Sequence, residues 1–141
     1  MKVELVRLDN DFHFEATGSS AVKIHTDGSP EIGGHNLGVR PMELLLMGLA
    51  SCSAIDMVLI LKKQRQMIED FRISVDGERV PENGTQRSPF RKIHLHFFFK
   101  GKDLDPAKIE RAAQLSMEKY CSATAQFETL ADITHQITIE A

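Results

Sequence analysis

Cysteine is the strongest nucleophile among the common side chains, and this chain has two, Cys52 and Cys121, 69 positions apart. A thiol attacks as its thiolate. At a free pKa near 8.5 about 3% is ionised at neutral pH, and lowering that value by two units gives roughly three-quarters. In a secreted chain such a pair would suggest a structural bridge; in a reducing compartment its role would be redox or catalytic. The plain alternative is two ordinary buried thiols, since free cysteine is among the most buried residue types, and composition alone favours it.

Cys52 lies between Ser51 and Ser53 in an apolar run that begins at Leu44. A helix N-terminus favours a thiolate, but that field fades within about one turn. Cys52 stands some three turns into the helix, so a cation must supply the rest. Arg40 is one candidate, yet its backbone is on the order of 18 Å from Cys52 along one helix, and Glu43 is roughly 13–14 Å away. Neither reaches the thiol of its own chain. In an antiparallel helix pair across a two-fold axis, the partner's helix start would lie beside Cys52, and the site would draw on both subunits. Arg7, among apolar residues of the first strand, is the other candidate. Both arginines are equally consistent with solvated charges. Cys121, in Glu118-Lys119-Tyr120-Cys121-Ser122-Ala123-Thr124, follows a helix and precedes small residues. That context suits a resolving thiol, which must move to close a bridge, and it suits an ordinary buried thiol as well.

Histidines offer less. His94 and His96 point to one face of a strand, a spacing compatible with a metal. Lys92 and Lys100 share that face and no neighbouring Cys, Asp or Glu completes a ligand set, so the face reads as solvated. His135, on an apolar strand face, reads as a satisfied core histidine.

The elements that must hold these residues are short strands and two helices. Alternation predicts strands around Val3–Arg7, Phe12–Thr17 and Val22–His25, separated by turns at Asp9-Asn10-Asp11 and Gly18-Ser19-Ser20. A glycine-bearing loop, Ile32 to Arg40, leads to Pro41, which suits a first helical turn, with Glu43 favourable at the positive end. The helix is expected from Pro41 to Met67. A strand from Phe71 to about Arg79, a loop Pro81–Pro89 and a strand Lys92–Lys100 follow. Asp105-Pro106 opens a second helix towards Tyr120; after the segment Cys121–Leu130, Ile133–Ile139 forms the last strand. The order βββ-α-ββ-α-β defines an α+β fold of a single domain, residues 1–141, without βαβ alternation.

Composition narrows the function. Of 141 residues, 42% are hydrophobic and 26% charged, with a net charge of -3; without a basic stripe, a nucleic-acid partner is not expected. The first residues, MKVELVRLDND, lack the apolar core and cleavage site of a signal peptide, so a cytoplasmic location is expected. Residues 44–61 are apolar almost all round, which calls for burial on every side. A membrane span needs roughly 20 apolar residues, and Asp56 interrupts this run. Two copies of the helix packed inside a shell of sheet answer the same requirement better.

Two stretches, Gly38-Val39-Arg40-Pro41-Met42-Glu43-Leu44-Leu45-Leu46-Met47-Gly48-Leu49-Ala50-Ser51-Cys52 and Lys119-Tyr120-Cys121-Ser122, resemble the OsmC/Ohr superfamily of thiol-dependent hydroperoxide reductases. Element order and cysteine separation agree, so the resemblance covers almost the whole chain. It implies an intertwined homodimer with central helices enclosed by antiparallel sheets. It also implies that Cys52 is the peroxidatic cysteine and Cys121 the resolving one. An organic hydroperoxide would be the substrate, a dithiol the reductant, and no metal, flavin, nucleic acid or membrane would be involved. Two features depart from the well-studied peroxidases. They place a glutamate directly after the proline, where this chain has Met42 and then Glu43, and one helical position is about 100° of rotation. Their activating arginine precedes the motif, where only Arg7 and Arg40 stand here. The chain thus resembles a divergent OsmC-like branch. A dimer that binds a small apolar molecule without turning it over is the second reading.

Overall fold

The computed structural model describes residues 1–140, which form two compact units, Met1–Leu45 and a second from Leu46 onward. In the first, β1 (Glu4–Arg7), β2 (Phe14–Thr17) and β3 (Lys23–Thr26) make an antiparallel meander in the order β1-β2-β3. Leu5 pairs with Ala16, and Ala16 with Ile24. The loop after β3 is organised around Asp27, which is 2% exposed. Its carboxylate accepts main-chain N–H groups from Gly28 at 2.7 Å and from His35 and Leu37 at 3.1 Å each. Those bonds fold residues 28–38 back along β3, where Val39 N donates to His25 O at 3.0 Å. Gly38 has no alternative there: a Cβ would sit 2.5 Å from the main chain of His25.

Helix α1 (Pro41–Lys63) carries the chain into the second unit. Arg40 O accepts the first helical N–H, from Leu44 at 3.0 Å. The helix stops at Lys63, one turn before the expected Met67. Arg65 takes a left-handed φ of 58°; Gln66 N donates to Leu61 O at 2.9 Å and Arg65 N to Lys62 O at 3.1 Å. This is the two-bond termination normally built on glycine. The helix is long and apolar enough to cross a bilayer by length and composition. In one copy of the chain, however, a single stripe is buried, Leu49, Ser53, Met57 and Leu61, while Ile55, Val58 and Leu59 are exposed.

The second unit's sheet runs β4-β5-β6, from β4 (Asp70–Arg79), β5 (Phe90–Lys100) and β6 (Asp132–Glu140). Ile93, Leu95, Phe97 and Phe99 on β5 are at most 1% exposed, as their alternation predicts. They form the core with Ile109, Ala112 and Ala113 of α2 (Pro106–Leu115). Phe71 stacks on Phe99 with ring centroids 4.1 Å apart. Each large side chain so buried contributes about 1.5–3 kcal/mol. The α+β class stands, but one pairing differs from an all-antiparallel sheet: β6 runs parallel to β5. A parallel neighbour needs a long crossover, and α2 with the residues after it provide one, so β5-α2-β6 is a βαβ unit. The segment expected to be irregular after Cys121 contains a short helix, α3 (Ser122–Phe127).

Candidate functional site: a thiol pair

Three local devices aim the two thiols. Cys52 is half-buried on α1 beside the buried stripe. Asp105 caps α2 by accepting Ala107 N–H at 2.9 Å, with Pro106 in the first turn. At its far end α2 does not continue as an α-helix to Tyr120. It widens into a π turn, Ser116–Tyr120, closed by Cys121 N donating to Ser116 O at 2.8 Å. Such turns insert an extra residue and occur often at functional sites. Cys121 then caps α3, its Sγ accepting Thr124 N–H at 3.3 Å. Cys52 is near enough to act on the Cys121 thiol's acidity, and both cysteines are free.

The two sulfurs are not equivalent. Cys121 is 4% exposed. Burial, the chief cause, and the neighbouring Cys52 push its thiol above its ordinary pKa, against an opposing pull from Thr124. Cys121 therefore keeps its proton beside the more accessible Cys52. Ser116, fully buried, donates Oγ–H to Asp56 Oδ2 at 3.0 Å and lies 3.4 Å from Ser53 O. A hollow of about 380 Å³ is walled by Asp56, Leu59, Ile60, Lys63, Gln64, Leu115 and Tyr120, and neither thiol lines it. Cys121 itself lines a smaller one of about 140 Å³. Another, about 610 Å³ beside Asp76, His94 and Thr134, carries no thiol.

The other residues singled out by sequence lie elsewhere. Arg40 and Glu43 belong to the first unit. The Arg40 guanidinium donates to Asn36 Oδ1, and to Gly38 O at 3.3 Å; Glu43 is exposed in the first turn of α1. Arg7 closes its own turn, donating to Asp11 O at 3.0 Å and to Asn10 O. His94 and His96 are hydrogen-bonded across the sheet to Thr134 and Thr138, each at 2.7 Å, so both have partners on β6. His135 meets Glu110 Oε1 at 2.8 Å, a satisfied, half-buried histidine. Among the described residues one trio could face a cation, Asp9, Asp11 and His35. It is already paired internally, His35 Nε2 to Asp11 Oδ2 at 2.8 Å. Sequence reasoning passed over Ser116 and Thr124 and noted Asp56 only as an interruption. The available signal was a polar residue set among apolar ones: Ser116 stands between Leu115 and Met117.

The sequence matches the family described as OsmC-like protein over residues 34–136. Protein YhfA of Escherichia coli (strain K12) is 43% identical over 101 residues, 72% of this chain and 73% of that protein. An OsmC like protein from Mycoplasma pneumoniae superposes with a TM-score of 0.81 at 20% identity, covering 99% of this chain and 96% of that one. The organic hydroperoxide resistance protein OhrB of Bacillus subtilis gives a TM-score of 0.69 at 19% identity, covering 97% and 96%. The chain belongs to the OsmC-like family and has its fold.

Proposed function

We propose that this protein is a thiol-dependent peroxidase that reduces organic hydroperoxides through Cys52 and Cys121. The observation that carries this reading is a pair of free thiols 69 positions apart in sequence, one half-buried and one buried, of which Cys52 acts on the acidity of Cys121. Cys52, as its thiolate, attacks the terminal peroxide oxygen. The O–O bond breaks, the alcohol leaves with a proton, and Cys52 becomes a sulfenic acid. The Cys121 sulfur then displaces water from that sulfenic acid, forming the disulfide. An external dithiol restores both thiols and leaves as its own disulfide.

Arg40 and Glu43 enter through a second copy of the chain. In this reading the protein is a cytoplasmic homodimer and the 141 residues are one domain. The partner's helix start stands beside Cys52, and its arginine supplies the cation that the thiol's own helix start is too distant to provide. The exposed apolar residues Ile55, Val58 and Leu59 on α1 support burial against such a copy.

Turnover of an alkyl hydroperoxide with a dithiol reductant tests the proposal. Cys52→Ser should lose on the order of a thousandfold or more, and Cys121→Ser should stall after one oxidising equivalent per chain. Equal slow turnover by wild type and Cys52→Ser would reject it. The 380 Å³ hollow also favours a second reading, a dimer that holds a small apolar molecule unchanged. Native mass spectrometry after mild purification would then show a retained ligand, and an empty dimer would count against it.

A further inference from the structure

Ser116 joins the two arms that carry the thiols. Its side chain reaches α1 on the Cys52 side of the site: Oγ donates to Asp56 Oδ2 at 3.0 Å and lies 3.4 Å from Ser53 O. Asp56 is one helical turn beyond Cys52, and Ser53 is the next residue. The main-chain oxygen of Ser116 meanwhile accepts Cys121 N–H at 2.8 Å, closing the π turn. One buried residue thus ties the backbone of the second thiol to the helix of the first. From this juxtaposition we infer that Ser116, anchored on Asp56, is a positioning residue that sets how readily Cys52 and Cys121 join, and with it the reduction potential of the pair. The inference rests on the reading above that these thiols form a disulfide.

Bridging demands S–S near 2.05 Å and Cβ atoms about 3.8 Å apart, so a small drift of the π turn against α1 lowers the share of conformations able to close. Without the Ser116–Asp56 bond the dithiol keeps its chemistry but loses this alignment. The disulfide becomes harder to form and easier to reduce.

The full chain is equilibrated with reduced and oxidised glutathione. Each bridge formed sends two electrons and two protons to one glutathione disulfide, which leaves as two glutathione thiols. Alkylation and mass spectrometry read the fraction bridged. Ser116→Ala and Asp56→Ala should lower the equilibrium constant about tenfold, a shift of about 30 mV towards easier reduction. Asp56→Asn keeps an oxygen acceptor and should stay within about twofold of wild type. A hydroxyl with a merely structural role would lower the melting temperature and leave this potential in place. Wild-type potentials in both alanine variants, or an Asp56→Asn as shifted as Asp56→Ala, would overturn the inference. If Ser116→Ala fails to fold, the half-buried Asp56→Ala decides alone. A wild-type protein that never forms the Cys52–Cys121 bridge would sink the disulfide reading together with this one. A wild type that bridges beside unmoved variants would sink only this one.

Discussion

The two units keep opposite things inside. Residues 46–140 bury Ile93, Leu95, Phe97 and Phe99 behind α2, while the free side of α1 exposes Ile55, Val58 and Leu59. Residues 1–45 bury Thr26 and Asp27 and expose Leu5, Val6, Val22, Ile24 and Ile32. The C-terminal unit is held by apolar burial, which is non-directional and grows with area. The N-terminal unit is held by aimed hydrogen bonds around one carboxylate, which hold only while every partner is in place. A dry core suits the part that presents the thiols.

The largest expected effect probes that contrast directly. Phe97→Ala, in a side chain with no exposure, should cost about 3–5 kcal/mol, whereas Val22→Ala, at a position 68% exposed, should cost less than about 1 kcal/mol. Denaturant midpoints read both, and equal costs would erase the distinction. Next comes Asp27→Ala, which leaves the N–H groups of Gly28, His35 and Leu37 without their acceptor. Hydrogen exchange at His35 and Leu37 should rise on the order of tenfold or more while β5 stays protected.

The units should also fail at opposite ends of the pH scale. Burial alone would raise the Asp27 carboxyl, but the three N–H bonds outweigh it and hold its pKa below the ordinary value. A depressed carboxyl contributes stability above its unfolded pKa of about 3.9, and that contribution is lost as pH falls through the folded value. Cys121 has the opposite sign. Its pKa is raised above the ordinary thiol value, so stability is full below the unfolded value and falls as pH climbs towards the folded one. In the reduced protein Cys121→Ser should remove the alkaline loss and leave the acid limb unchanged, as pH-resolved melting would report. The smallest effect is a gain: Arg65→Gly relieves the left-handed φ of 58° at the end of α1 and should stabilise by up to about 1 kcal/mol.

Period and capping made much of this fold legible. The alternation of Ile93, Leu95, Phe97 and Phe99 fixed both a strand and its buried face, and Asp105-Pro106 fixed the start of α2. The end of α1 was not legible, because the residue that turns left-handed is an arginine rather than a glycine. The direction of β6 was hidden for another reason: parallel and antiparallel partners share the same two-residue period. His94 and His96 looked merely wet because their threonine partners are 40 and 42 residues away, on a strand whose register no local pattern reveals. The site was legible in part. Both thiols stood out by type, and Ser116 could be read as a polar residue among apolar ones, but the π turn at Ser116–Tyr120 that leads to Cys121 has no signature in local letters.

That widened turn makes the aim of the second sulfur a matter of counting. An ordinary helical turn spends one residue fewer on the same advance, so the loss of one position between 116 and 120 can be taken up by a return to an ordinary turn, with everything downstream kept in place. A comparison with relatives that spaced this stretch differently, matched letter by letter, would pair the wrong atoms even where every letter agreed.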